Sequence, residues 1–416
     1  LITISEINYN PEATVNAGNW IELWNYGVAD VNISNWKIRD ANFLNEYIFP
    51  ENTWLNADER LIIAVDTILF FAQHPGLDNV YGPLGFGLNN AEETIQLINL
   101  KGEITKEVNY TDEAPWPGGA DGQGRTMELN NPLTDVNLAT NWFDGCIGGS
   151  PGLPYTPCDD DIIFSEIYYN PGATFESADW IELRNISGND IDISGWKLMD
   201  DSTGIDHEFI ISDGTVVNSG NHLVLAQQTD DFSSIYPDVT NVTGPYNFDL
   251  NDNGEWIRMY DANGILVLSV QYDDFSPWPL APDGGNYTLE LVDSMGLMNS
   301  GLNWQQICPG GSPGAYPSTP CEDEIAIESI ETNSVFSISP NPTSQFVVIT
   351  SAFENNTNAV IQLVGLDGSI VQNLYQGTLP LGELNKVFDM SAVKAGIYFV
   401  QIVTENGNYI QKLVKQ

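Results

Sequence analysis

The chain is poor in the residues that carry most protein chemistry. Its 416 residues include 3 histidines, 4 cysteines and 13 lysines and arginines, against 57 aspartates and glutamates, for a formal net charge of -44. Such an acidic excess repels phosphate backbones and argues against nucleic-acid partners; it also favours solubility and attracts divalent cations. His74, His207 and His222 form no H-E-x-x-H motif, none lies beside a cysteine, and the sequence has no C-x-x-C, so a zinc site is disfavoured. No apolar run approaches the roughly 18 residues that a membrane-spanning helix needs. The start has neither a basic segment nor an apolar signal-like core. "LITISEI" reads at once as a strand, as expected of a processed mature terminus or of a chain with sequence upstream. No convincing amphipathic helix is visible.

What is present is a long repeat. "SEINYNP" (5–11) returns as "SEIYYNP" (165–171), "WIELWN" (20–25) as "WIELRN" (180–185), and "ISNWKIRD" (33–40) as "ISGWKLMD" (193–200). The offset is 160 residues, then 162, where Trp116 matches Trp278, Trp142 matches Trp304 and "CIGGSPG" (146–152) matches "CPGGSPG" (308–314). A period of this length means two copies of a whole domain rather than a solenoid. Within each copy the pattern is β. In "WIEL", Ile21 and Leu23 alternate with Trp20, Glu22 and Trp24; "LIIAV" (61–65) and "HLVLA" (222–226) read as buried strands; "NLKG" (99–102) and "DANG" (261–264) read as hairpin turns. Short strands at this density predict an all-β fold of sandwich type.

The four cysteines fall at the ends of the copies. Cys146 and Cys158 close the first, Cys308 and Cys321 the second. Three connectivities are open, and the repeat favours Cys146–Cys158 and Cys308–Cys321, which implies an oxidising compartment.

Several motifs suggest chemistry. "GGSPG" matches G-x-S-x-G at Ser150 and Ser312, but the next residue is Pro151 or Pro313, which has no N–H for an oxyanion hole. A domain-closing turn is the better reading, and no catalytic residue is assigned. Glu6, Glu22 and Asp40 recur as Glu166, Glu182 and Asp200. A catalytic pair present twice would mean two active sites, so hydrogen-bonded structural carboxylates are the more economical reading. "DLNDNG" (249–254) offers Asp249, Asn251 and Asn253 as a weak Ca²⁺ candidate, but position 12 of an EF-hand loop would be Tyr260, so a plain turn is preferred and no cofactor is expected. Trp24, Trp54 and Trp256 are not shared between copies. They are the candidate stacking platforms for a sugar or a partner protein, with local packing as the alternative.

The ordered set "SEI..NP", "WIEL.N", "IS.WK..D" and "GSPG", present twice, resembles the lamin-tail domain over 1–158 and 159–321. The resemblance implies an immunoglobulin-like β-sandwich that serves secreted bacterial proteins as a non-catalytic module beside an enzyme or adhesin.

The last 80 or so residues differ in kind. From Val335 onward the net charge is -1, leaving -43 for the rest, and all 11 tryptophans lie before residue 305. Residues 322–335 read as an acidic linker, and 336–416 as about seven short strands in a smaller sandwich, with Asn406-Gly407 turning the last hairpin. "PNP" (Pro340, Asn341, Pro342), "AGIY" with Gly396 and Tyr398, and the terminal "QKLVKQ" with Lys412 and Lys415 resemble the type A C-terminal sorting domain of the type IX secretion system. The resemblance implies a cargo of the Bacteroidetes lineage. Such a cargo crosses the periplasm and outer membrane to the cell surface or medium, and its partners are an outer-membrane translocon, a barrel shuttle protein and a surface sortase. The final strand, Tyr409 to Lys415, is expected to be gripped by a partner along its free edge, with Leu413 and Val414 as anchors and Lys412 and Lys415 as steering charges. Together these readings predict a non-enzymatic secreted or surface protein for adhesion or interaction, with an unknown protein or glycan ligand. The alternatives are the C-terminal accessory part of a larger secreted enzyme, or a carbohydrate-binding module.

Overall fold

The structure, a computed structural model, describes residues 1–202, 204–316, 336–353, 357–365, 370–379, 382–404 and 407–416. It divides into two units, Leu1–Glu322 and Asp323–Gln416.

The first unit contains the repeat. In the first copy a six-stranded sheet runs in the order Trp142–Ile147, Arg125–Leu129, Ile2–Asn8, Trp20–Asn25, Arg60–Ala64, Val80–Tyr81. A four-stranded sheet faces it, in the order Ile104–Thr111, Glu92–Ile98, Lys37–Arg39, Glu46–Ile48. The core lies between them. Ile4, Ile7, Ile21 and Leu23 come from one sheet and Ile38, Ile95, Leu97 and Val108 from the other, largely at alternate positions as the pleat requires. The second copy repeats the plan around Ile162–Tyr168, Trp180–Asn185, Glu255–Tyr260 and Leu266–Tyr272.

Each copy also carries one short helix that the sequence reading missed: α1, Thr67–Gln73, and α2, Thr229–Ile235. Two turns are too few for a periodic pattern to stand out. The local signal was the cap: Asp66 accepts hydrogen bonds from the N–H groups of Ile68 and Leu69. Each helix lays a phenylalanine, Phe70 or Phe232, edge-on against Trp20 or Trp180 on the outer face of the six-stranded sheet. "WIEL" therefore has no solvent face. Ile21 and Leu23 enter the sandwich core, Trp20 lies under the helix, and Glu22 is buried beside it.

The copies meet through a buried polar junction. Arg125 Nε and Nη2 donate to Ser269 Oγ (3.1 Å) and Ser269 O (2.6 Å), while Nη1 donates to Gly145 O (2.9 Å). Asn299 Nδ2 donates to Asp144 (2.8 Å), and the Leu266 N–H donates to Thr14 Oγ1 (2.9 Å). The position matching Arg125 in the second copy is Tyr287, so this contact is not itself repeated.

The second unit pairs a three-stranded sheet (Phe336–Ser339, Phe346–Phe353, Gly382–Asp389) with a four-stranded one (Ile370–Leu379, Thr357–Val364, Gly396–Thr404, Gly407–Lys415). Phe336, Val347, Ile361, Leu363, Val400, Ile402 and Leu413 fill the space between. Cys321, the linker expected at 322–335 and Asn406 lie outside the described residues.

Candidate functional site

Three neighbouring strands of the first copy place glutamates side by side: Glu6 pairs across the sheet with Glu22 on one side and Glu128 on the other. The second copy builds the same row from Glu166, Glu182 and Glu290. Like charges directly opposite one another destabilise a sheet unless something compensates. The compensation here is the "GGSPG" loop. The Ser150 N–H donates to Glu6 Oε1 (2.9 Å), Ser150 Oγ donates to Glu128 Oε2 (3.1 Å), and the Gly152 N–H donates to Glu22 Oε2 (2.7 Å). Thr126 and Ser5 hydroxyls donate to Glu6 (2.6 Å) and Glu22 (2.7 Å). In the second copy the Ser312 N–H and hydroxyl, the Gly314 N–H, Thr288 and Ser165 do the same for Glu166, Glu290 and Glu182.

This explains the glycines of the motif. Gly149 has φ +79°, and a Cβ there would lie 2.2 Å from Glu6 Oε1; at Gly311 it would lie 1.9 Å from Glu166 Oε1. The N–H and O–H of each motif serine are both committed to buried carboxylates, and a proline follows.

Burial pushes Glu22 and Glu128 up to about 7. Burial, then the charges of Glu128 and Glu22, raises Glu6 well above the usual carboxylate range. Glu182 is pushed up to about 7 by burial, and Glu166 and Glu290 rise for the same reason. In the first copy Glu6 Oε2 and Glu128 Oε1 are buried with no hydrogen-bond partner, and a carboxyl proton held between these cross-strand neighbours would satisfy both. Chemically the row is a buried hydrogen-bonded cluster that ties the "GGSPG" loop to the outer face of the six-stranded sheet. The sequence reading found two of its three glutamates and missed Glu128 and Glu290. Their T-x-E spacing at 126–128 and 288–290 keeps the 162-residue offset and was the available signal.

Asp40 and Asp200 are loop closers, not members of the row. Asp40 accepts from the Asn42 N–H (2.7 Å) and Asn45 Nδ2 (2.7 Å), and Asp200 from the Ser202 N–H (2.9 Å). The polar groups of the Asp249–Gly254 turn are engaged within the protein: Gln227 Nε2 donates to Asp249, and the Asn253 N–H donates to Asn251 Oδ1 (2.9 Å). Among the described residues no three His, Cys, Asp or Glu side chains form a metal-binding group. Of the three tryptophans proposed as platforms, Trp54 is half-exposed. Trp24 has the Arg60 guanidinium 4.3 Å over its ring, and Trp256 is buried at the junction of the copies. Cys146 and Cys158 form a disulfide with 5.4 Å between Cα atoms. Cys308 is disulfide-bonded as well, and its expected partner Cys321 is outside the described residues.

In the second unit the residues proposed for sorting converge on one corner. Asn341 Nδ2 donates to Lys412 O (2.7 Å), and the Val414 N–H donates to Asn341 Oδ1 (2.8 Å). The Thr343 N–H donates to Val414 O (2.9 Å), and the Gln416 N–H to Thr343 O (2.8 Å). On the other side of the terminal strand, Gly396 pairs with Lys415 and Tyr398 with Leu413. Pro340, Asn341, Pro342 and Lys412 are exposed. Two details of the sequence reading are corrected. Lys415 is only 8% exposed and its Nζ donates to Gln416 O, so it is not a rim charge; Leu413 is buried in the unit's own core, so it is not a free anchor. The outer edge of the strand near its end is likewise already paired with the 341–343 segment.

The model of the Lamin Tail Domain family matches residues 1–112 and 157–274, and the Secretion system C-terminal sorting domain model matches 337–416. Among curated proteins none matches significantly. Similar solved structures include dimeric latent PorU from Porphyromonas gingivalis, at 9% identity and TM-score 0.18, covering 100% of this chain and 34% of that one. A DUF4876 family protein from Bacteroides thetaiotaomicron has 9% identity and TM-score 0.25, covering 71% and 94%. The chain thus spans about a third of the length of the PorU structure, and at these scores neither likeness carries weight. The two family models suffice: the chain belongs to the lamin-tail-domain family, in two copies, and ends in the sorting domain that sends it through the type IX secretion system to the cell surface or the extracellular space.

Proposed function

We propose that the two lamin-tail copies, 1–158 and 159–321, form a non-enzymatic interaction module at the cell surface, delivered by the sorting module at 336–416 beyond a linker at 322–335. The outer-membrane translocon, its barrel shuttle protein and the surface sortase are the export partners. The corner formed by Pro340, Asn341, Pro342 and Lys412 is the surface they read. One observation carries this reading: Asn341 bonds both Lys412 O and the Val414 N–H, tying the exposed "PNP" segment to the terminal strand as a single exposed feature. The serine and carboxylate commitments described above support a module without catalysis.

The test is cell fractionation of point variants. Removing the last ten residues would take Leu413 out of the core and unfold the module, so truncation alone is ambiguous. Asn341→Ala and Lys412→Glu alter the corner and spare the core. Both are expected to leave protein in the periplasm, Asn341→Ala more completely, because a rim charge mainly changes the rate of encounter. Normal surface delivery of the double variant would defeat the reading.

A further inference from the structure

Between the two lamin-tail copies lies a cleft of about 500 Å³ that neither the carboxylate rows nor the sorting corner uses. The first copy contributes Trp116, Asp112 and Asp121, and the second contributes Trp256, Asp201 and Gln271. Among the residues lining it there is no lysine or arginine. The junction around Arg125 and Asn299 holds the two walls at a fixed spacing. Gly118 lies against both Gln271 and Trp256, its ideal Cβ position 3.3 Å from Gln271 Oε1 and 3.6 Å from Trp256 Cζ2, and the matching residue of the second copy is Leu280. Asn10 Nδ2 donates to Asp121 Oδ1 (2.7 Å) and fixes that carboxylate in place. Gln123, also in the lining, keeps its Oε1 buried with no hydrogen-bond partner.

We propose that this cleft binds an organic cation, a guanidinium or ammonium group of the kind carried by a basic side chain. Aromatic rings attract cations through their quadrupole. Arg258 and His207 act on Asp201 from outside the lining, but Asp112 and Asp121 have no lysine or arginine among the lining residues; carboxylates so placed are left uncompensated when a neutral ligand covers them, and are neutralised by a cation. The charge of -43 outside the sorting module draws cations toward the surface. Each copy supplies one tryptophan wall, so the site is incomplete in either copy alone. This deepens the interaction reading and is independent of export.

Titration of the full chain with free arginine, an acetylated arginine amide, a short arginine-containing peptide and glucose, followed by tryptophan fluorescence and calorimetry, tests the proposal. The arginine-bearing compounds are expected to bind saturably, several-fold more weakly in high salt. Asp112→Asn with Asp201→Asn should weaken them roughly tenfold. Trp256→Ala should abolish binding, and because Trp256 packs at the junction the aspartate pair keeps the test decisive if that variant does not fold. Tighter binding of the peptide than of arginine assigns a partner protein; equal binding assigns a small amine. No saturable response to any cation, or salt-insensitive glucose binding unaffected by the aspartate changes, overturns the proposal. If surface attachment persists in that case, the interaction reading survives without this site.

Discussion

In the first copy Glu22 meets the guanidinium of Arg60 at 3.2 Å; in the second, Glu182 meets His222 at 3.8 Å, an imidazole that burial and then Arg184 push down to about 4. At neutral pH the second copy therefore has no cation at the position of Arg60, where Arg184 acts on Glu182 instead without an ion pair, yet the loop closes on both rows in the same way. What the two copies share is the set of neutral donors from the loop rather than any one ion pair. The surrounding shell shows the same freedom. Arg60 stacks over Trp24 in one copy, and Arg184, at the position of Trp24, stacks over Tyr316 in the other, 3.9 Å from its centroid. Outside the buried positions even this complementarity lapses. Ile68, Leu69 and Phe71 on α1 face positions where α2 carries Asp230, Asp231 and Ser233, while the buried phenylalanine between them is kept.

The hardest way to break the equivalence of the rows is to remove their central carboxylate. Glu6→Ala and Glu166→Ala should each cost about 2–4 kcal/mol, because a buried serine N–H and a threonine hydroxyl lose their acceptor. Urea unfolding of the full chain measures this. Comparable losses support equivalent rows, and a loss confined to one copy would show that the shared loop donors do not carry both.

A smaller change should sharpen the difference between copies. Asp179, buried, is pushed up to about 8 by desolvation and then by Asp249 and Asp252, against the Leu250 N–H that favours its charge. Its counterpart is Asn19, which donates to Tyr9 O and accepts from the Leu88 N–H (3.0 Å). The folded form holds the Asp179 proton more tightly than the unfolded one. Its favourable contribution is therefore full below the ordinary aspartate range and is lost as pH rises through about 8. The raised glutamates act in the same direction, so melting temperature should fall from pH 5 to pH 9. Asp179→Asn should recover on the order of 1–3 kcal/mol at pH 9 and little at pH 5. Melts at the two pH values check this; equal effects at both would refute the titration account.

The smallest expected effect is that of the serines. Ser150→Ala and Ser312→Ala remove one hydroxyl bond each and keep the N–H bond, at about 1 kcal/mol per site. A loss several times larger at either site would mean that the hydroxyl, not the N–H, organises the row.

Much of this was legible in the sequence. The repeat, the paired strands and the sorting motif all rest on local patterns: alternation, turn residues and recurring words at one offset. The helices escaped because a seven-residue segment has no period to read. Glu128 and Glu290 escaped because their importance lies in register, and a cross-strand neighbour more than a hundred residues away leaves no local mark. Lys415 was misplaced because a strand sequence alternates between faces without saying which face is covered, and the covering segment at 341–343 is some seventy residues earlier in the chain.

The sequence by itself determined that this is a duplicated β protein with a distinct, nearly neutral C-terminal module, because hydrophobic alternation and charge are properties of the chain alone. Only the tertiary structure decided which glutamates lie side by side, that the "GGSPG" serines are bonded to them, which terminal lysine is exposed, and that two tryptophans from different copies face one acidic cleft. Those outcomes depend on which strands become neighbours and how much water is excluded between them, and both are fixed only when the sheets close.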